Sequence, residues 1–112
     1  MSDEYKVLFS EIEDDCKFVL NLHLNSFLKD KVFNYKDIDF FMDHLNDLII
    51  PDLIKISPYF KFVLSYTFLQ NESSGFTQNM ALYYDKETDG CITQKLSFKA
   101  IICIVNLFCL SI

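Results

Sequence analysis

Arginine and tryptophan are absent from the 112 residues, and glycine and proline occur only twice each. Each absence excludes something. With 10 Lys against 16 Asp plus Glu, a net charge of −6, and no arginine, the chain has neither a basic surface nor the guanidinium forks that grip phosphates and guanine edges, so no nucleic-acid partner is expected. An anionic membrane surface is disfavoured on the same ground. No basic n-region precedes an apolar stretch after Met1-Ser2-Asp3-Glu4, which reads as a non-secreted protein without a signal peptide. The longest apolar run, Ala100 to Leu110 broken by Asn106, falls far short of the roughly 20 residues a membrane helix needs, so no membrane insertion is expected. Four cysteines, Cys16, Cys91, Cys103 and Cys109, match no CxxC or zinc spacing. A reducing compartment would keep them as thiols, used as small buried hydrophobes.

What is present is apolar: 51% of the residues are hydrophobic and 23% charged, the content of a packed domain rather than a disordered chain. At about 100 to 150 residues per domain, residues 1–112 read as one unit. The charge is uneven. Residues 1–59 hold 12 acids and 6 Lys, whereas residues 60–112 hold 4 of each.

From Val7 to Leu28 apolar residues recur at helical spacing, with Phe9, Ile12, Cys16, Val19, His23 and Phe27 in one stripe widened by Leu20, Leu24 and Leu28. Glu11, Glu13, Asp14, Asp15 and Lys17 occupy the other side, a solvated face of an amphipathic helix over about 7–28. The pattern restarts at Asn34, a candidate N-cap, and Ile38, Phe41, Leu45, Leu48 and Ile49 mark a second helix over about 34–56. Pro51 lacks an N–H and is expected to end or kink that helix, leaving at most a short turn through Ile56.

Beyond Pro58 the period changes to two, and strands are expected at Phe60 to Gln70, Phe76 to Tyr84, Cys91 to Phe98 and Ala100 to Leu110, with Asp85 to Gly90 as a connection and Thr88-Asp89-Gly90 as its turn. The fold class is α+β: two N-terminal helices packed on one face of a four-stranded antiparallel β-sheet. The first and fourth strands are apolar on both faces and read as central, whereas the second and third alternate as strands nearer an edge do. Two helices cover one face only. The other needs a cover that this chain lacks, and a second copy is the default.

Weighed for chemistry, the residues favour bland roles. His23 has no acid or thiol at ligand spacing and reads as a packed imidazole; for His44, a groove-lining role and a surface role remain open. Cys91 has no neighbour that would lower its pKa. Asp39, Asp43 and Asp47 form a one-face acidic ladder without the glycine loop of a calcium hand. Ser73-Ser74-Gly75 lacks the lysine of a phosphate loop. No catalytic residue, metal site or cofactor is expected, and a hydrolase or thiol enzyme on this scaffold would need a pocket with a perturbed His or Cys.

Residues Phe60-Lys61-Phe62-Val63, Gln70, Tyr84-Asp85, Thr88-Asp89-Gly90, Cys103-Ile104-Val105 and Leu110-Ser111-Ile112 stand in the order and spacing of the Tctex-type dynein light chains. The chain resembles that family without a gap over roughly 60–112, and in pattern over its helical half. Pro51, Cys109 in place of a usual glycine and Phe41 in place of a larger aromatic depart from the family pattern. The resemblance implies a strand-exchanged homodimer, in which the second strand of one protomer becomes the edge of its partner's sheet. An extended segment of the dynein intermediate chain lies between that edge and a helix, by β-augmentation. Carried onto this chain, the partner-binding residues are Phe76, Thr77, Gln78, Asn79, Met80, Ala81, Leu82 and Tyr83, with Phe40, Phe41 and His44 as the helical wall. The dimer interface comprises Val63, Ser65, Thr67, Met80, Leu82, Ile104 and Val105. The expected function is that of a non-catalytic adaptor linking cargo to a cytoplasmic or axonemal dynein. The alternative is a dynein-independent hub that dimerises disordered partners.

Overall fold

A computed structural model describes residues 8–71, 83–88 and 90–111. Helix α1 spans Phe9–Leu28 and helix α2 spans Ile38–Ile56, preceded by a single 3-10 turn at Tyr35–Asp37. Strands β1 (Phe60–Gln70), β2 (Tyr83–Thr88), β3 (Cys91–Ser97) and β4 (Ile101–Ser111) form one antiparallel sheet in the order β1-β4-β3-β2.

The helices face the sheet through apolar ridges spaced four residues apart. Ile12, Cys16, Leu20, Leu24 and Leu28 are the buried residues of α1, and Phe41, Leu45, Ile49 and Leu53 those of α2. Side chains four apart stack on one helical face, so both ridges pack as continuous rows. Phe9, Val19 and Phe27 flank the α1 ridge and are half-buried. The Asn34 side chain accepts from the Lys36 N–H at 2.9 Å and so opens the 3-10 turn, whereas α2 itself begins at Ile38.

Pro51 does not end the second helix, which runs unbroken from Ile38 to Ile56. The missing N–H removes one backbone bond, but the ridge passes through in phase and Leu53 beyond it is fully buried. Burying a leucine contributes about 1.5–3 kcal/mol, enough to hold the last turn against the loss. Pro51 itself is exposed, so water reaches the carbonyl it leaves unmatched.

The sheet has two unlike faces. On the helix side, Phe62, Leu64, Tyr66 and Phe68 of β1 lie opposite Cys109, Leu107, Val105 and Cys103 of β4, which in turn meet Ile92, Gln94 and Leu96 of β3. Five alternate positions of β4, Ile101 to Cys109, are buried. The other face, carrying Val63, Thr67, Ile102, Ile104, Phe108 and Leu110, meets no element among the described residues.

Of the expected second strand, Tyr83 and Tyr84 pair within β2, and residues 76–82 lie outside the described residues. Two expectations need correction. Asp85 to Thr88, expected as a connection, pair with Gln94 to Cys91, leaving only residues 89 and 90 between the paired ends. Their polar pattern hides a strand held by main-chain bonds to β3. Lastly, among the described residues β1 is an edge and β3 lies inside the sheet, the reverse of what their apolar content suggests; helix burial on one side and an open apolar face on the other make β1 doubly apolar without centrality.

Candidate functional site

The site is built by β1 and α2. Among the described residues β1 bonds only to β4, so one full ladder edge of an 11-residue strand is open. Antiparallel to it runs α2: Phe41 meets Phe68 at 6.0 Å between ring centroids, the Tyr66 hydroxyl donates to Asn46 Oδ1 at 3.0 Å, and Ile50 and Ile54 face Phe60 and Phe62. The last four residues and Lys61 line an open cleft of about 380 Å³. Burial pushes the Tyr66 hydroxyl above its ordinary range, with Cys103 adding to the effect, so it stays protonated and serves as a fixed donor to the helix.

At the other end of α2 three rings stack. His44 lies 4.7 Å from Phe27 and 5.7 Å from Phe40 between centroids, and the Lys31 ammonium sits 4.4 Å over the far ring, Phe27. Phe40 is 58% exposed, and its stack sits on the flank of α2 that meets α1 through Phe27 rather than on the flank whose Asn46, Ile50 and Ile54 meet β1. Phe41 is different. At 3% exposure, edge-on to Phe27 at 5.4 Å, it is a core residue rather than part of the wall, as its place in the Phe41-Leu45-Ile49-Leu53 ridge dictates.

Of the segment expected to complete the groove, residues 76–82 (Phe76, Thr77, Gln78, Asn79, Met80, Ala81 and Leu82) lie outside the described residues. Tyr83 opens β2 and pairs with Leu96. That puts it at the opposite edge of the sheet from β1.

The open face collects Val63, Ser65, Thr67 and Ile104, four of the residues expected at a dimer interface. Ser65 pairs with Asn106, Thr67 with Ile104 and Val63 with Phe108. Val63, Leu69, Phe108 and Leu110 are each at least 40% exposed, an apolar patch of the sort that marks an interaction surface. At its centre the Thr93 hydroxyl donates to Asn106 Oδ1 at 2.7 Å. Val105, also expected at the interface, points to the helices and is 0% exposed; it belongs to the core.

Sequence reasoning missed one contact. His23 Nε2 donates to Asp52 Oδ2 at 2.7 Å, tying α1 to α2. This bond draws the Asp52 carboxyl below its usual value, against a smaller opposing effect of burial. No local pattern links residues 29 apart. Cys16 and Cys109 form a buried hydrogen-bonded pair that pushes Cys16 up and draws Cys109 down against the opposing effect of burial, while burial raises Cys103 to about 12, the opposite of the lowering a reactive thiol needs. Among the described residues no group of three or more metal-ligating side chains occurs, and no helix is long and apolar enough to cross a membrane. A comparison with protein-family models matches the chain to the Tctex-1 family over residues 10–110.

Proposed function

Because the chain belongs to the Tctex-1 family, the non-catalytic Tctex-type dynein light chains, we propose that it works as a homodimer that holds an extended segment of the dynein intermediate chain by strand addition and links cargo to the motor. One observation carries this reading. The open edge of β1 lies beside the α2 flank that carries Asn46, Ile50 and Ile54, whereas Tyr83 lies at the far edge of the same sheet. A single protomer thus holds two half-sites. Exchange of the segment ending at Tyr83 onto the β1 edge of a second copy joins them, and the open apolar face supplies the surface over which the two sheets meet.

The chemistry is main-chain pairing. A strand added to a free edge gains a ladder of N–H···O=C bonds irrespective of sequence, and alternate side chains select through whatever they touch, here the Ile50–Ile54 cleft. Two such grooves on one dimer favour paired partners, since the second engagement is intramolecular. The role places the protein with the cytoskeletal motor in the cytoplasm or axoneme.

The test is fluorescence anisotropy of labelled peptides tiling the N-terminal region of the same cell's dynein intermediate chain, titrated with protein of measured mass. Saturable binding at one peptide per protomer of a dimer is expected. A confirmed dimer that binds none of them overturns the motor assignment in favour of a dynein-independent hub, and a monomeric protein overturns the exchange itself.

A further inference from the structure

At the end of the sheet away from the Ile50–Ile54 cleft, the segment after α1, the end of β1 and the β3–β4 turn surround an open cavity of about 490 Å³. Its lining combines Lys29, Lys31 and Lys99 with Val32, Phe33 and Ala100, and the amides of Gln70 and Asn71 form one rim. Three ammonium groups against one carboxylate, Asp30, make a local charge of +2 on a chain whose total is −6. Lys29 and Lys99 are exposed and make no ion pair among the described residues, and Lys31 is fixed over the Phe27 ring.

The frame that holds these lysines is well braced. The Asn71 N–H donates to the Ala100 carbonyl at 3.0 Å, and its side-chain amide donates to the Phe98 carbonyl at 2.7 Å. These bonds fix the end of β1 to the turn that presents Lys99. The Lys31 N–H donates to the Leu28 carbonyl at 3.1 Å, closing the end of α1. Like charges gathered in a concavity repel, and an anion relieves them. Val32 is 69% exposed and Phe33 lines the same wall, so the cavity offers apolar contact beside the charges. That combination fits a chain segment of mixed acidic and apolar side chains better than a small inorganic anion, which would be held by converging N–H groups.

We propose that this lysine-lined cavity docks an acidic, extended peptide segment of a partner protein, at the Gln70 end of β1 and away from the Ile50–Ile54 cleft. The site distinguishes itself from bulk attraction by sign. The whole protein repels an acidic peptide at long range, so only the local lysines can bind one. Added salt therefore weakens binding if the cavity is the site, whereas it strengthens any association limited by the net charge.

The experiment titrates the full-length protein, at measured oligomeric mass, into a fluorescein-labelled Glu-rich peptide bearing one central Phe, and into the same peptide with every Glu replaced by Gln. Binding of the Glu peptide is expected to weaken by at least about tenfold between about 0.05 and 0.5 M salt. It is also expected to weaken by about tenfold or more in the Lys29→Glu/Lys99→Glu double variant, as truncation of charge complementarity does. Lys55→Glu, 80% exposed at the far end of α2, leaves it unchanged. Circular dichroism and mass confirm that the variants are folded. Equal binding of the Gln peptide, salt-strengthened binding, equal losses in Lys55→Glu and the double variant, or no binding at all each overturns the proposal. None of these results bears on the intermediate-chain peptides, which are read in their own titration.

Discussion

Ile104 and Val105 are consecutive residues of β4 that face opposite sides of the sheet, so a lysine at each measures what each side does while strand propensity and charge stay the same. Val105 is 0% exposed beneath the helices and lies opposite Tyr66. Lysine there forfeits a buried valine, about 1.5–3 kcal/mol, and either desolvates an ammonium or forces its neutralisation, several kcal/mol more. The sum exceeds about 5 kcal/mol, the lower bound of a typical domain's stability, so Val105→Lys is expected to lose its helical circular dichroism and its cooperative melt. Ile104 is half-buried on the open face. A lysine there runs its stem along the sheet with its ammonium in water, so Ile104→Lys keeps the fold of the protomer. If the open face is where two copies meet, this variant elutes as a folded monomer by light scattering. A native-like Val105→Lys protein, or an Ile104→Lys protein unfolded to the same degree, would refute the assignment of faces.

Replacing Pro51 with Ala restores the backbone bond to the Asp47 carbonyl within an exposed turn, and is expected to raise stability by about 1–3 kcal/mol in urea melts; a loss would show that the proline relieves a strain the helix geometry does not reveal. Gly90 has φ +75°, and a Cβ there would stand 2.8 Å from the Cys109 carbonyl oxygen, so Gly90→Ala should cost about 1–3 kcal/mol by the same measurement, and an unchanged midpoint would contradict the two-residue turn. The Asp52 carboxyl is lowered mainly by the His23 hydrogen bond. A depressed carboxylate contributes stability above its unfolded pKa, and that contribution is lost as the pH falls through the folded one. Denaturant melts from about pH 6 to pH 2 should therefore show wild-type losing its advantage over Asp52→Asn below about pH 4; parallel curves would remove the His23–Asp52 hydrogen bond from the account.

Much of the fold is legible in the sequence because burial has a period. The Ile12-Cys16-Leu20-Leu24-Leu28 ridge and the alternation through Ile101 to Cys109 are written directly in apolar spacing, which places both helices, β1, β3 and β4 to within a few residues. The failures have a common cause, since each depends on a partner distant in sequence. Asp85-Lys86-Glu87-Thr88 carries no apolar signal, and β3 alone makes it a strand. Pro51 reads as a stop from its local bond alone, because the burial of Leu53 is invisible at that range. His23 and Asp52 meet only once two helices are docked. Phe41 is the exception. Its four-residue spacing from Leu45, Ile49 and Leu53 marks it as core from the sequence alone, and only the family resemblance assigns it to the groove.

The open edge of β1 also has a consequence for the chain before it finds a partner. Of the strand's 11 residues only Lys61 is charged, and no proline or bulge interrupts its pairing with β4 from Phe60 to Gln70, so it lacks most of the devices that keep exposed strands from pairing indiscriminately. Among the described residues nothing covers that edge, so a lone protomer presents it as a template on which another chain's strand can pair.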